Sequence, residues 1–135
     1  MDQQMYVTES LDQTLIAAGE QLTTLLDKAM MVVRASFWLF IPETGTWRLV
    51  IATPEAETSG PRRVYQRIQA VLFKNDSKVG AIKLQDISVV GPHDPTVVAL
   101  SRVMGTDKGI SGIRISRNTI DGHYIEDAYI YRLIR

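Results

Sequence analysis

The sequence predicts an α+β fold: a single antiparallel sheet of about five strands with helices packed on it, in one domain spanning residues 1–135. Three observations carry that prediction. Between residues 109 and 135, two runs rich in β-formers flank Asp121-Gly122, a pair that supplies the positive φ angles of a two-residue type I′ hairpin turn. Residues 35–41 and 47–53 are dense in aromatic and β-branched side chains and flank the short Gly-containing loop Pro42-Glu43-Thr44-Gly45-Thr46, a second hairpin signal. Elsewhere, three stretches repeat apolar residues at spacings of three and four, the period of a half-buried helix.

Taken in order, residues 1–8 read as a loose lead-in or a short edge segment. Ser10 is placed to cap a helix whose apolar stripe is Leu11, Leu15, Ala18, Leu22, Leu25 and Ala29, with a break possible at Gly19. In the first strand both faces are apolar, with Phe37, Leu39 and Ile41 on one and Trp38 and Phe40 on the other, so it is expected at the centre of the sheet, covered on both sides. A loop follows from residue 53 to 60, and Pro61 opens a second helix that buries Val64, Ile68, Val71 and Leu72 and ends near Lys74. Asn75-Asp76-Ser77 has turn chemistry, residues 81–90 read as a strand bent near Asp86, and Gly91-Pro92 stops it. Asp94-Pro95 starts a third helix that buries Val97, Leu100 and Met104 and ends at Gly105.

The Asp-Gly turn predicts a register for the last hairpin. One face pairs Ile120 with His123, Asn118 with Ile125, Ser116 with Asp127, Arg114 with Tyr129, Gly112 with Tyr131 and Ile110 with Leu133. The other pairs Thr119 with Tyr124, Arg117 with Glu126, Ile115 with Ala128, Ile113 with Ile130 and Ser111 with Arg132. The second face has an aliphatic centre and is the expected core. The first carries Arg114, Ser116, Asp127, Tyr129 and Tyr131, and is the expected ligand face.

The composition places the chain among soluble globular proteins, with 45% hydrophobic and 22% charged residues. It contains no cysteine, which excludes thiol catalysis, cysteine-based zinc sites and disulfides. The cytoplasm is the expected compartment, since the N-terminus has no basic and apolar leader pattern and no apolar run reaches the length of a membrane span. Net charge is zero but unevenly spread: residues 1–60 hold eight acids and three bases, net −5, and residues 61–135 hold seven acids and twelve bases, net +5. Ten of the fifteen bases are Arg, the side chain suited to bidentate recognition of carboxylate or phosphate. Complementarity between the two halves, within the fold or across a dimer, accounts for the same asymmetry.

Residues Val33-Arg34-Ala35-Ser36-Phe37-Trp38-Leu39-Phe40, followed by Glu43-Thr44-Gly45-Thr46-Trp47-Arg48-Leu49-Val50, resemble the opening hairpin of GAF domains. That resemblance implies a sheet of the kind shared by GAF, PAS and profilin-like folds, which cups small ligands. The chain as a whole, above all Tyr124-Ile125-Glu126-Asp127-Ala128-Tyr129-Ile130-Tyr131-Arg132-Leu133, resembles small stand-alone bacterial proteins, some of them carried on mobile gene cassettes. This implies a bacterial origin and brings no activity with it.

Catalytic and metal chemistry find little support. The two histidines, His93 and His123, lie in or beside predicted turns and make no pair at ligand spacing. A Ser116/His123/Asp127 triad fails because His123 and Asp127 stand about 13 Å apart along a strand. The three glycines between Gly105 and Gly112 lack phosphate-loop spacing and lead into a strand. Glu126 and Asp127, as strand neighbours, are expected on opposite faces and unable to share a substrate. Arg63, Arg67 and Lys74 form a basic row at helical spacing, which on a neutral chain reads as a solvated helix face, so nucleic acid is not expected as a partner.

The sequence therefore predicts a domain without catalysis, metal or cofactor that binds a small polar or anionic ligand on the helix-poor side of the sheet. Arg114, Ser116, Asp127, Tyr129 and Tyr131 would line the site, with Trp38 below them. A structural hydrogen-bond network around Asp127 is the competing account of the same residues. The alternative function is a protein–protein interaction module, a homodimer formed through the first helix or a sheet edge, and homo-oligomerisation is expected with either.

Overall fold

In the computed structural model, residues 10–135 are described. The expected helix-capping role of Ser10 passes to Asp12, whose carboxylate accepts from Leu15 N at 2.9 Å and starts α1 (Gln13–Lys28). The expected lead-in at residues 1–8 lies outside the described residues. Helix α1 runs through Gly19 without a break and buries Ala18, Leu22 and Leu26. The hairpin β1 (Ala35–Ile41) and β2 (Thr46–Ala52) follows in register, from Ala35 opposite Ala52 to Ile41 opposite Thr46. Next come α2 (Glu55–Thr58), α3 (Pro61–Lys74) and α4 (Asp76–Val79), where the sequence predicted a loop, a helix and a turn. Then β3 (Ile87–Val90), α5 (Pro95–Met104), β4 (Ile113–Ile120) and β5 (His123–Leu133) complete the chain.

The five strands form one sheet in the order β3-β2-β1-β5-β4, and β1 is central as its two apolar faces required. The sheet is mixed, which corrects the purely antiparallel expectation: β3 runs parallel to β2, from Leu49 opposite Ile87 to Ala52 opposite Val90. The chain between them holds three helices, a crossover that returns β3 in the direction of β2, whereas a tight hairpin reverses direction. Strand β3 is also shorter than the expected residues 81–90, because the Asp86 carboxylate accepts from Lys83 N at 3.0 Å and closes a 3₁₀ turn before the strand starts. Its outer edge is capped by Tyr65 of α3, whose hydroxyl donates to Ile87 O at 3.3 Å and accepts from Val89 N at 2.9 Å. One hydroxyl thus occupies two backbone groups that a further strand would need.

Each face of the sheet carries its own core. On one, Trp38, Trp47, Leu49 and Ile51 pack with side chains of α1, α2, α3 and α4. On the other, Phe37, Val50, Ile115, Ala128, Ile130 and Leu133 pack with Val97 and Leu100 of α5. The final hairpin turns at Asp121 (φ 47°) and Gly122 (φ 82°) as its type I′ turn requires. Seven of the expected pairs form, from Ile120 opposite His123 to Ile113 opposite Ile130. Beyond Ile113 the expected ladder stops. Ser111 N bonds Tyr131 O, and Thr106 rather than Ile110 lies against Leu133, with Thr106 N donating to Leu133 O, both at 2.7 Å.

Two irregularities break the alternation of β5. Between Ser36 and Phe37 the β1–β5 register shifts by one, because Ser36 faces Arg132 while Phe37 faces Ile130, leaving Tyr131 as the extra residue. Near the turn, Arg117 takes φ 47°, a left-handed conformation that costs a non-glycine residue about 1–2 kcal/mol. Ile125 and Ala128, three apart, both join the α5-side core, and the two residues between them turn the other way.

Tyr131 and Trp38 are both 1% exposed. The Trp38 indole donates to the Tyr131 hydroxyl at 3.0 Å, and that hydroxyl donates to Ile16 O at 2.6 Å, tying two strands to α1. Burial pushes the Tyr131 hydroxyl well above the usual tyrosine range. Gly19 makes the approach possible, since a Cβ there would stand 2.3 Å from the Tyr131 hydroxyl and 2.8 Å from Trp38 Nε1. Gly19→Ala is therefore expected to destabilise the protein by about 1–3 kcal/mol through overpacking, despite alanine's better helix propensity. Urea denaturation of the two proteins measures the difference.

Candidate functional site: a cleft at Trp47, Arg114 and Asp127

Strand pairing places the candidate residues in neighbouring rows across the α1 side of the sheet. Arg114, Tyr129, Trp38 and Leu49 follow one another across β4, β5, β1 and β2. In the next row Ser116 faces Asp127, and Phe40 faces Trp47. A cleft of about 370 Å³ opens over the second row, and Arg114, Glu126, Asp127, Phe40 and Trp47 line it together with Ser10 and Leu11, which lead into α1. A smaller cleft of about 230 Å³ adjoins it at Ser10 and Trp47 and reaches Trp38, Leu15 and Asp86.

Three expected site residues meet at one carboxylate. The Arg114 guanidinium grips Asp127 with two parallel bonds, Nε to Oδ1 at 2.7 Å and Nη2 to Oδ2 at 2.8 Å, and Ser116 Oγ donates to Oδ1 at 3.0 Å. The hydrogen bond from Arg114 holds the Asp127 carboxyl below the usual aspartate range, and the same bond raises the Arg114 guanidinium. The Arg114 Cζ also lies 5.6 Å from the centre of the Trp47 ring, within cation–π range. Phe40 meets Trp47 edge to face, with ring centres 5.4 Å apart. Among the described residues the cleft thus has an aromatic wall and a rim of three charged side chains, two of them acidic.

The other expected residues divide. Trp38 lines only the adjoining cleft, while Tyr131 is enclosed against α1 and lines neither. Tyr129 is half-buried and packs edge to face on Tyr131 with ring centres 5.4 Å apart. Burial against α1 removes Tyr131 from the expected ligand face, while Tyr129, packed on it, lines neither cleft. The face lies on the side that carries α1 to α4, which corrects the expected position on the helix-poor side. The expected separation of Glu126 from Asp127 is corrected as well: both line the same cleft, because β5 departs from alternation opposite Arg117. Glu126 accepts from the Tyr124 hydroxyl at 2.9 Å, and the expected pairing with Arg117 is not among the backbone pairs of the hairpin.

Sequence reasoning missed Trp47, Phe40 and Glu126. The strand pattern marked both aromatics as sheet residues, and the signal that would have found them is the position of β1 beside β5, which brings Phe40 next to Asp127. Of the competing chemistries, the triad is absent from the geometry: His123 Nδ1 contacts Asp121 O at 3.2 Å inside its own turn. His93 Nδ1 lies 2.9 Å from Glu57. Among the described residues no group of His, Asp and Glu side chains is placed to hold a metal ion, and no helix is long and apolar enough to cross a membrane. The basic row on α3 is interrupted, since Arg67 pairs with Glu55 and donates to Ala29 O at 2.8 Å.

Because the folded state lowers the Asp127 pKa, its ion pair contributes stability above the ordinary carboxylate value of 3.8 and loses it as pH falls through the lower folded value. Asp127→Asn is expected to be less stable than the parent protein at pH 6, with the gap narrowing as pH falls below 3.8. Thermal melts of both proteins across that range measure it. Compared with known proteins, the chain matches no family model, no curated protein and no solved structure.

Proposed function

We propose that this protein is a non-catalytic small-molecule binding module whose ligand sits in the cleft between Trp47, Phe40 and the Arg114–Asp127 pair. The observation that carries this reading is an aromatic wall facing a fixed, hydrogen-bonded charge pair in a concavity of about 370 Å³, the size and mixed character of small-molecule sites. Asp127 already occupies two donors of the Arg114 fork, and Glu126 adds a second carboxylate at the rim. That balance favours a ligand that is neutral or cationic, with a flat apolar body to lie on Trp47 and donors for Glu126. Enzymatic function lacks a comparable support, since the Asp127 carboxylate beside Ser116 is already engaged by the Arg114 fork.

The homodimer alternative draws less from the geometry. The apolar stripe of α1 is spent on its own sheet, with Leu22 and Leu26 fully buried. Tyr65 caps the β3 edge, and the β4 edge carries Arg117 in a left-handed conformation, a device that discourages edge-to-edge pairing.

A thermal-shift screen with purine and pyrimidine nucleosides, aromatic amines and polyols tests the proposal, followed by tryptophan fluorescence titration of any hit. A ligand that binds only the folded form stabilises it by about 2.7 kcal/mol at a hundredfold excess over Kd. The expected result is a raised melting temperature with a fluorescence change that disappears in Trp47→Phe and weakens in Glu126→Gln. A flat screen together with a dimer mass by light scattering would favour the interaction module instead.

A further inference from the structure

We infer that a second cleft, at the opposite end of α1, binds an anionic group carried on an apolar body. This cleft has a volume of about 520 Å³, within the range of small-molecule sites. Met31, Val32, Val33 and Ile134 give it apolar walls. Among the described residues, four bases, Arg34, Lys108, Arg132 and Arg135, line it against a single acidic side chain, Asp27. The site is independent of the Trp47 cleft and shares no lining residue with it.

The four bases play different parts. Arg132 is 3% exposed, and every guanidinium nitrogen has a partner. Nη1 and Nη2 each donate to Asp27 at 2.9 Å, while Val33 O and Gly109 O accept at 3.3 Å. A buried arginine so completely bonded builds the floor and joins α1, the lead into β1, the loop before β4 and β5. Arg135 caps the end of α5, donating to Ser101 O at 2.8 Å and Arg102 O at 3.0 Å.

The remaining two have capacity to spare. Lys108 enters no hydrogen bond or ion pair among the described residues. Among the described residues the Arg34 side chain makes one hydrogen bond, from Nη2 to Arg135 O at 2.9 Å, and its buried Nε has no partner. A desolvated donor without an acceptor is costly and rare in folded proteins. A modest turn of that guanidinium would present Nε and an Nη to a carboxylate or phosphate as a two-bond fork, with the Lys108 ammonium as a second point of charge. The backbone beneath it is fixed, since Arg34 N donates to Ala52 O and Arg34 O accepts from Ile134 N, both at 2.8 Å. The Val32 wall is itself exposed, and the adjacent Met30 is exposed beside it, together an apolar shoulder for the body of the ligand.

Calorimetric titrations of the intact protein with octanoate, phenyl phosphate, inorganic phosphate and octylamine, together with sedimentation on phosphatidylglycerol vesicles, test the inference. Octanoate and phenyl phosphate are expected to bind, phenyl phosphate more tightly than inorganic phosphate, and octylamine not at all. Lys108→Gln should weaken binding severalfold, and Arg34→Gln with Lys108→Gln at least tenfold, whereas Trp47→Phe should leave it unchanged. Association with the vesicles alone, lost in the same variants, would assign the anion to a lipid headgroup and support the site. Silence in every arm, equal binding of octylamine, or anion binding that survives Lys108→Gln and the double variant would overturn it. Should the double variant fail to fold, Lys108→Gln decides alone, because this exposed side chain enters no hydrogen bond or ion pair among the described residues.

Discussion

The arrangement of this protein rests on the way β5 distributes its side chains. A regular strand sends every second residue to the same side, yet β5 commits Ile125, Ala128, Ile130 and Leu133 to the α5 core, at spacings of three, two and three. The two longer steps are where the strand yields. One passes Glu126 and Asp127 to the α1 side, opposite the left-handed Arg117. The other passes Tyr131 and Arg132 to that side, where the register with β1 shifts. Each step places two polar-headed side chains side by side, and each pair does something that a regular strand would not allow.

The pair at Tyr131 and Arg132 secures α1. Tyr131 reaches Ile16 and Trp38, and Arg132 reaches Asp27, so one helix is held at two points along its length by neighbours on a single strand. Two buried polar groups of this kind stabilise only when their partners are in place, which is why Gly19 and Asp27 matter as much as the residues they receive. The pair at Glu126 and Asp127 lies beyond the reach of that seal. There the face stays concave, and Arg114 is shared between the Asp127 carboxylate and the Trp47 ring.

Much of this fold could be read from sequence because the signals were local. The Asp121-Gly122 turn specified seven cross-strand pairs, and Asp94-Pro95 specified the start of α5, whose carboxylate cap accepts from Thr96 N and Val97 N at 3.1 and 3.2 Å. Arg114, Ser116 and Asp127 were legible as a cluster for the same reason, since register alone brings them together. What alternation could not foresee was its own interruption. A left-handed Arg117 and an extra residue at Tyr131 are set by packing across strands, and nothing in their immediate sequence marks them. The parallel placement of β3 and the partnership of Asp27 with Arg132 depend on contacts between distant parts of the chain. Trp47 stayed out of view because its neighbour in the cleft, Asp127, reaches it only through the position of β1 beside β5.

Methyl-labelled nuclear Overhauser spectroscopy on the unmodified protein tests most directly whether β5 abandons alternation. Cross-peaks from both the Ile125 and the Ala128 methyls to the Val97 and Leu100 core, with none from Ile125 to the rings of Phe40 and Trp47, are the predicted result. Ile125 methyls that instead report on those rings, with only Ala128 reaching the α5 core, would restore strict alternation, return Glu126 to the far side of the sheet, and contradict this account of the cleft.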